Sequence, residues 1–327
     1  MANRYYPAAV VLFWLSTMSW LVLTKVLPAL RRGEPPDHHA VSVDRQTDAL
    51  PVIWDMKWDM RPIGWAASDV SRRPDGRAVI HSRIRFTGVP KANGNQGLIY
   101  AALTNLAKTV RIDNCSELAS DGGVERIRSI VRHNGKQQPL LRVEGKIVDG
   151  HLNLQSWLMD QKQPDTKMIP VRPGSLVANE VSPRGYMPKL RLHQQWTTYH
   201  VSPLRPGQGQ KVVSAKVERY ETMQWQDRIT RTLVVIYRDD AGASSRSAHE
   251  HLGRLWVRVS DGMVLKQEVI IFGSQLTFHR QPTDKARLRA EQLEKDWSTE
   301  SLERLESNDA RQVDVENRQQ RGDEEAR

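Results

Sequence analysis

The stretch "VIWDMKWDMRPIGW", residues 52–65, decides the fold. Trp54, Met56, Trp58 and Met60 share one parity, and Asp55, Lys57, Asp59 and Arg61 share the other. WDM recurs after four residues, a spacing that also fits a helix. A helix, however, would scatter those charges around the Trp face. Period two keeps them apart, so the stretch reads as a strand with one apolar and one charged face.

The same grammar continues downstream. Ala78, Ile80, Ser82, Ile84 and Phe86 alternate with Arg77, Val79, His81, Arg83 and Arg85, behind the reversal "RPDG". Further turns are expected at Asp121-Gly122, Asn134-Gly135, Asp149-Gly150 and Asp261-Gly262, because Asn-Gly and Asp-Gly suit the positive φ of tight hairpins. Between them, "VERIRSIVRH", "PLLRVEGKIV" and "HLNLQSWLM" read as an antiparallel meander with one wet face. "RITRTLVVIYRDD" and "MVLKQEVIIFGSQLTFHR" are apolar on both parities, which predicts strands covered on both sides. Residues 170–195 hold four prolines and read as a long connection packed across the sheet. Residues 96–108 are the best short helix inside the domain. The fold class is therefore mainly β: a large antiparallel curved sheet or half-barrel over residues 51–282. Two similar units, 51–162 and 194–282, are suggested by a Trp-containing strand at the start of each.

The ends have other compositions. After a stub of residues 1–4, twenty residues from Tyr5 to Thr24 carry no charge, and Arg4 and Lys25 bracket them. As a helix they would span roughly 30 Å, a bilayer core. No small-x-small cleavage site follows, so residues 5–24 read as an uncleaved single-pass transmembrane anchor. The expected placement is the inner (plasma) membrane with the body on the periplasmic side. Residues 25–50 read as a polar tether. Residues 283–307 read as a charged amphipathic helix carrying Leu288, Leu293, Trp297, Leu302 and Leu305. Residues 308–327 have too little apolar content for a core and are expected to be disordered. The formal net charge of the 327-residue chain is +10, yet residues 283–327 hold nine Lys/Arg against thirteen Asp/Glu. The body is thus more basic than the total, which suits an anionic neighbour such as lipid headgroups or serves solubility alone. One cysteine, Cys115, excludes an internal disulfide.

The charged-outside strands, the Trp/Met face and the late hairpin "LWVRVSDGMVLKQEV", residues 255–269 with Lys266 on the return strand, resemble the Lol-type lipoprotein carrier superfamily. They also resemble membrane-anchored bacterial proteins built on that plan. The resemblance implies a curved half-barrel closed by helices around a hydrophobic cavity, and a role in hydrophobic-ligand handling or envelope assembly. A membrane anchor, a polar tether and an acidic tail depart from soluble carriers.

Few residues suggest chemistry. His249 and His251 flank Glu250 with a spacing that zinc sites use, but no third ligand stands nearby. Cys115, in "DNCSEL", has no activating neighbour and reads as a small buried residue. "LRPGQGQK" lacks the strand-before, helix-after setting of a phosphate loop. No cofactor, no catalytic residue and no nucleic-acid partner is expected. The ligand-binding candidates are Trp54, Met56, Trp58 and Met60, where adaptable Met and broad Trp walls would suit acyl chains; an ordinary core is the competing reading. The expected function is non-catalytic binding of an apolar or lipid-like ligand at the envelope. The alternative is a scaffold that recruits a protein partner through its C-terminal helix.

Overall fold

The computed structural model describes residues 5–22, 51–88, 109–120, 123–133, 138–159, 161–171, 176–177, 181–202, 210–239, 251–271, 273–283 and 285–287. A helix, α1 (Tyr5–Leu21), opens the chain. The first group of strands is β1 (Val52–Trp58), β2 (Arg61–Arg72), β3 (Ala78–Phe86), β4 (Val110–Leu118), β5 (Val124–His133), β6 (Pro139–Val148), β7 (His151–Leu158) and β8 (Asp165–Pro170). The second is β9 (Leu176–Val177), β10 (Gln195–Val201), β11 (Gln210–Trp225), β12 (Arg228–Asp239), β13 (His251–Arg258), β14 (Val264–Ile271) and β15 (Ser274–Arg280).

All fifteen form one sheet, ordered β8-β7-β6-β5-β4-β3-β2-β1-β15-β14-β13-β12-β11-β10-β9. Pairing is antiparallel except between β9 and β10. One meander runs outward from β1 to β8; the other returns from the far edge to β15, which pairs with β1 in the middle. This order forces curvature. Fifteen strands at about 4.8 Å spacing would make a flat sheet roughly 65 Å wide. Yet β8 and β9, at opposite edges, are separated in sequence by residues 171–175 alone. That length of chain reaches only about 20 Å. The edges must therefore approach one another, and the sheet curls into a barrel-like body.

The curl encloses the predicted apolar parity. Val52, Trp54, Met56 and Trp58 are buried in one continuous core with residues of both meanders, from Ile112 and Leu154 to Val217 and Phe278. Both-parity strands are covered on both sides, as expected: on β12, Leu233 and Val235 face inward, while Val234 and Ile236 pack outside against Trp256 and Met223.

Met60 departs from the sequence reading. The alternation runs on to Arg61, but β1 ends at Trp58, and Asp59 and Met60 form a turn with φ of 43° and 70°. Positive φ at two consecutive positions matches the twist of a tight hairpin. Asp59 secures the turn, donating its N–H to Gln275 O and accepting from Gln275 N–H through Oδ1, both at 2.9 Å. Met60 is thereby turned out to 72% exposure and leaves the inner face.

At the N-terminus, α1 covers 17 residues of the predicted anchor. Among the described residues no helix is long and apolar enough to cross a membrane. Residues 285–287 are helical, and Ala286 packs on the outer face against Ile53, Ala67 and Trp65. The predicted helix at 96–108, the tether, His249 and the tail beyond 287 lie outside the described residues.

Candidate functional site

Strand register arranges the inner face of the first meander into layers. One row runs across seven strands: Trp54, Ala66, Ile84, Ile112, Val131, Leu141 and Leu158, each directly opposite the next. The adjacent row is Val52, Ser68, Ser82, Asn114, Ser129, Val143 and Ser156. The row beyond is Val70, Ile80, Ser116, Ile127, Gly145 and Leu154, apolar apart from Ser116 and the bare Gly145. A stripe of hydroxyl and amide groups thus lies between the apolar Trp54 row and a mostly apolar row interrupted by Ser116.

The middle of that stripe is held by residues 181–194, which pass over the inner face as a strap. Ser182 Oγ lies 3.3 Å from Ser82 Oγ, and Asn114 Nδ2 donates to both hydroxyls at 3.2 Å. Ser68 and Ser129, in the same row, are 7% and 4% exposed. Trp54 Nε1, in the adjoining row, is buried without a hydrogen-bond partner among the described residues. Buried polar groups are nearly always paired, so an unpaired indole N–H beside this stripe is unusual.

The strap then crosses to the second meander. Arg184 N–H donates to Gln267 Oε1 at 3.0 Å, Val264 N–H to Gly185 O at 3.0 Å and Met187 N–H to Gly262 O at 2.7 Å. Gly262 is required there: its φ is +75°, and a Cβ would stand 2.6 Å from Pro188 Cα. The Arg184 guanidinium sits 4.7 Å from the Tyr237 ring centroid and donates to its hydroxyl. Tyr237 in turn donates to Met187 Sδ at 3.6 Å. Burial pushes the Tyr237 phenol above its ordinary pKa. Arg280 lies between the Trp54 and Tyr186 rings, at 5.7 and 4.9 Å, and donates to Gly185 O at 2.9 Å. Burial draws its guanidinium below the ordinary value.

Of the predicted ligand-binding residues, the structure brings Trp54, Met56 and Trp58 together at 0%, 1% and 6% exposure and excludes Met60. Among the other tryptophans, Trp196 joins the inner core, whereas Trp65 and Trp256 pack outside. Trp157 lies under Arg142, which is on the charged parity. His251 opens β13 beside Arg254. No group of three metal-ligating side chains occurs among the described residues. Burial, with Glu117 nearby, pushes the Cys115 thiol up to about 11, so it is protonated at neutral pH. The serine row escaped the sequence reading because serine occurs on either face of a strand; only register reveals it.

No family model matches the chain, and no curated protein matches it. Among solved structures it is similar to a crystal structure of a β-barrel-like protein, the domain of unknown function DUF1849 from Brucella abortus. The identity is 10% over 71% of this chain and 96% of that one, with a TM-score of 0.40.

Proposed function

We propose that this is a membrane-tethered, non-catalytic envelope protein that binds a lipid-like amphiphile on the inner face of its first meander. One observation carries the reading: a row of hydroxyl and amide groups, Ser68, Ser82, Asn114 and Ser129, runs beside the apolar Trp54 row, whose indole Nε1 is buried without a partner among the described residues. A plain core would place apolar side chains there, because an unpaired buried polar group costs about 1–3 kcal/mol. An amphiphile would lay its acyl chains on the Trp54 and Ile127 rows. Its ester or hydroxyl groups would meet the serine row and Trp54 Nε1. Met56 and Trp58 back the same wall. The reading agrees with the resemblance to Lol-type carriers, and residues 5–24 would hold the body at the membrane.

The test is native mass spectrometry with lipid extraction on residues 45–327, which contain every strand of the described residues, purified without detergent. The expected result is a stoichiometric amphiphile, absent from Ser129→Leu while that variant keeps its near-ultraviolet circular dichroism. An apo mass for the unsubstituted protein would end this reading. A scaffold role is favoured separately by Ala286, which packs on the outer patch of Ile53, Ala67 and Trp65 at the point where the charged C-terminal sequence begins.

A further inference from the structure

The β11–β12 hairpin outruns both of its neighbours. The β10–β11 register ends at Lys216, and the β12–β13 register begins at Thr232. Residues 219–231 therefore form a two-stranded arm, closed by the turn at Gln226–Asp227. A lone two-stranded ribbon is marginal in water, and this one rests on the body by one face. Met223 packs with Val234, Ile236 and Trp256. Glu221 Oε1 accepts from Trp256 Nε1 at 3.1 Å. Trp225 has the Arg258 guanidinium 4.9 Å from its ring centroid and donates to Arg280 O at 3.4 Å. The other face is uncovered. Tyr220, Thr222, Gln224, Ile229 and Arg231 are all exposed, Ile229 at 83% and Tyr220 at 42%.

We propose that this uncovered face is a membrane-contact surface, laid on the lipid interface at the base of the anchor; the inference rests on the reading of residues 5–24 as that anchor. Position is the first argument. Trp225 reaches Arg280, Arg280 stands opposite Trp54, and β1 starts at Val52. The arm thus lies beside the point where the chain arrives from α1, whereas the turn at Asp59–Met60 closes the far end of β1. Chemistry is the second. An aliphatic tip, an aromatic ring and arginines are the set that settles at a bilayer interface, with the aliphatic group toward the acyl chains and the cations toward anionic headgroups. The Arg231 guanidinium lies 3.9 Å from the Tyr220 ring centroid, so ring and cation form one amphipathic unit. Arg228 and Arg231 flank Ile229, against Asp227 in the turn, which leaves the tip net positive. Val259, 45% exposed, adjoins the arm by donating its N–H to Arg231 O at 3.2 Å and widens the apolar patch.

The test uses the full chain reconstituted into vesicles of phosphatidylcholine and phosphatidylglycerol. A nitrobenzoxadiazole fluorophore is attached at Ile229→Cys or Gln224→Cys on the uncovered face, or at Met60→Cys, 72% exposed at the opposite rim. Cys115 is half-buried and protonated at neutral pH, and the unsubstituted chain carried through labelling measures its contribution. Phosphatidylcholine spin-labelled at the top of the acyl chain should quench the dye at both arm positions at least twofold more than at Met60→Cys. Equal quenching at the three positions, or quenching at Met60→Cys alone, in chains that float with the vesicles overturns the proposal while anchoring stands; the arm would then be left to a protein partner. A chain that does not float refutes the anchoring reading and this inference with it. None of these results bears on the amphiphile surface, which native mass spectrometry tests separately.

Discussion

Ser129→Ala separates a ligand surface from a plain core through the sign of its effect. Ser129 is 4% exposed, and on the amphiphile reading its hydroxyl waits unpaired in the empty protein. Such a group costs about 1–3 kcal/mol when buried. Removing the oxygen leaves a void of about 10–15 Å³, near one probe sphere, which at about 24 cal/mol per Å³ returns only about 0.3 kcal/mol. The ligand-free variant should therefore be more stable by about 1 kcal/mol or more. In a domain of this size that raises Tm by about 2–4 °C per kcal/mol. Ser82→Ala in the same row should act in the opposite sense, because Ser82 Oγ meets both Ser182 and Asn114; a loss of about 1 kcal/mol is expected. The assay is thermal unfolding followed by near-ultraviolet circular dichroism on delipidated protein. Amphiphile added back should bind Ser129→Ala about tenfold more weakly, equivalent to about 1.4 kcal/mol. If Ser129→Ala loses stability as Ser82→Ala does, the hydroxyl is already satisfied in the empty protein, and the argument from unpaired groups fails.

The two methionines of the opening stretch should differ sharply. Met56→Ala, at 1% exposure, is expected to cost about 2–5 kcal/mol, and Met60→Ala, at 72%, to stay within about 0.5 kcal/mol; chemical denaturation of both variants decides it. Gly262→Ala combines a φ of +75° with a Cβ 2.6 Å from Pro188 Cα, so Tm should fall and limited proteolysis should begin within residues 181–194. Burial lowers the pKa of His81, and burial together with Lys266 and Lys57 lowers that of His279. The unfolded imidazoles then take protons first, so this stability is fully present above about pH 6.5 and is lost as pH falls below it toward the folded values. Unfolding midpoints between pH 7.5 and 5 should decline, and the double variant His81→Gln, His279→Gln should decline less steeply.

Alternation made β1 and the β6–β7 hairpin legible, because each has an inner face buried and an outer face largely wet, and burial then imposes period two; β3 alternates in sequence although its outer Val79 and Arg83 are also buried, at 5% and 2%. Turns were legible where glycine marked them: Gly76, Gly150 and Gly262 all take positive φ. They were not legible at Asp59–Met60 and Gln226–Asp227, where ordinary residues adopt positive φ because the flanking ladders require a tight reversal. Met60 was misplaced for that reason alone. The order of strands was not legible either. Local alternation fixes which face a residue takes but says nothing about which edge the chain visits next.

Placement on a face is also not the same as placement in a row. Ser68, Ser82, Asn114 and Ser129 lie on four strands, and each looks unremarkable in its own segment. They become one polar stripe only because three registers bring them into line. A one-residue slip at any of these pairings would send the next serine to the outer face. The same registers that align the serines inside align Arg85, Arg111 and Arg132 outside, since alternate parities of the same strands make up the two faces. The inner hydroxyl row and the outer guanidinium row are therefore two consequences of one set of strand pairings. A substitution that shifts the β3–β4 register should disturb both together, whereas Ser129→Ala and Arg85→Gln should each disturb only its own face.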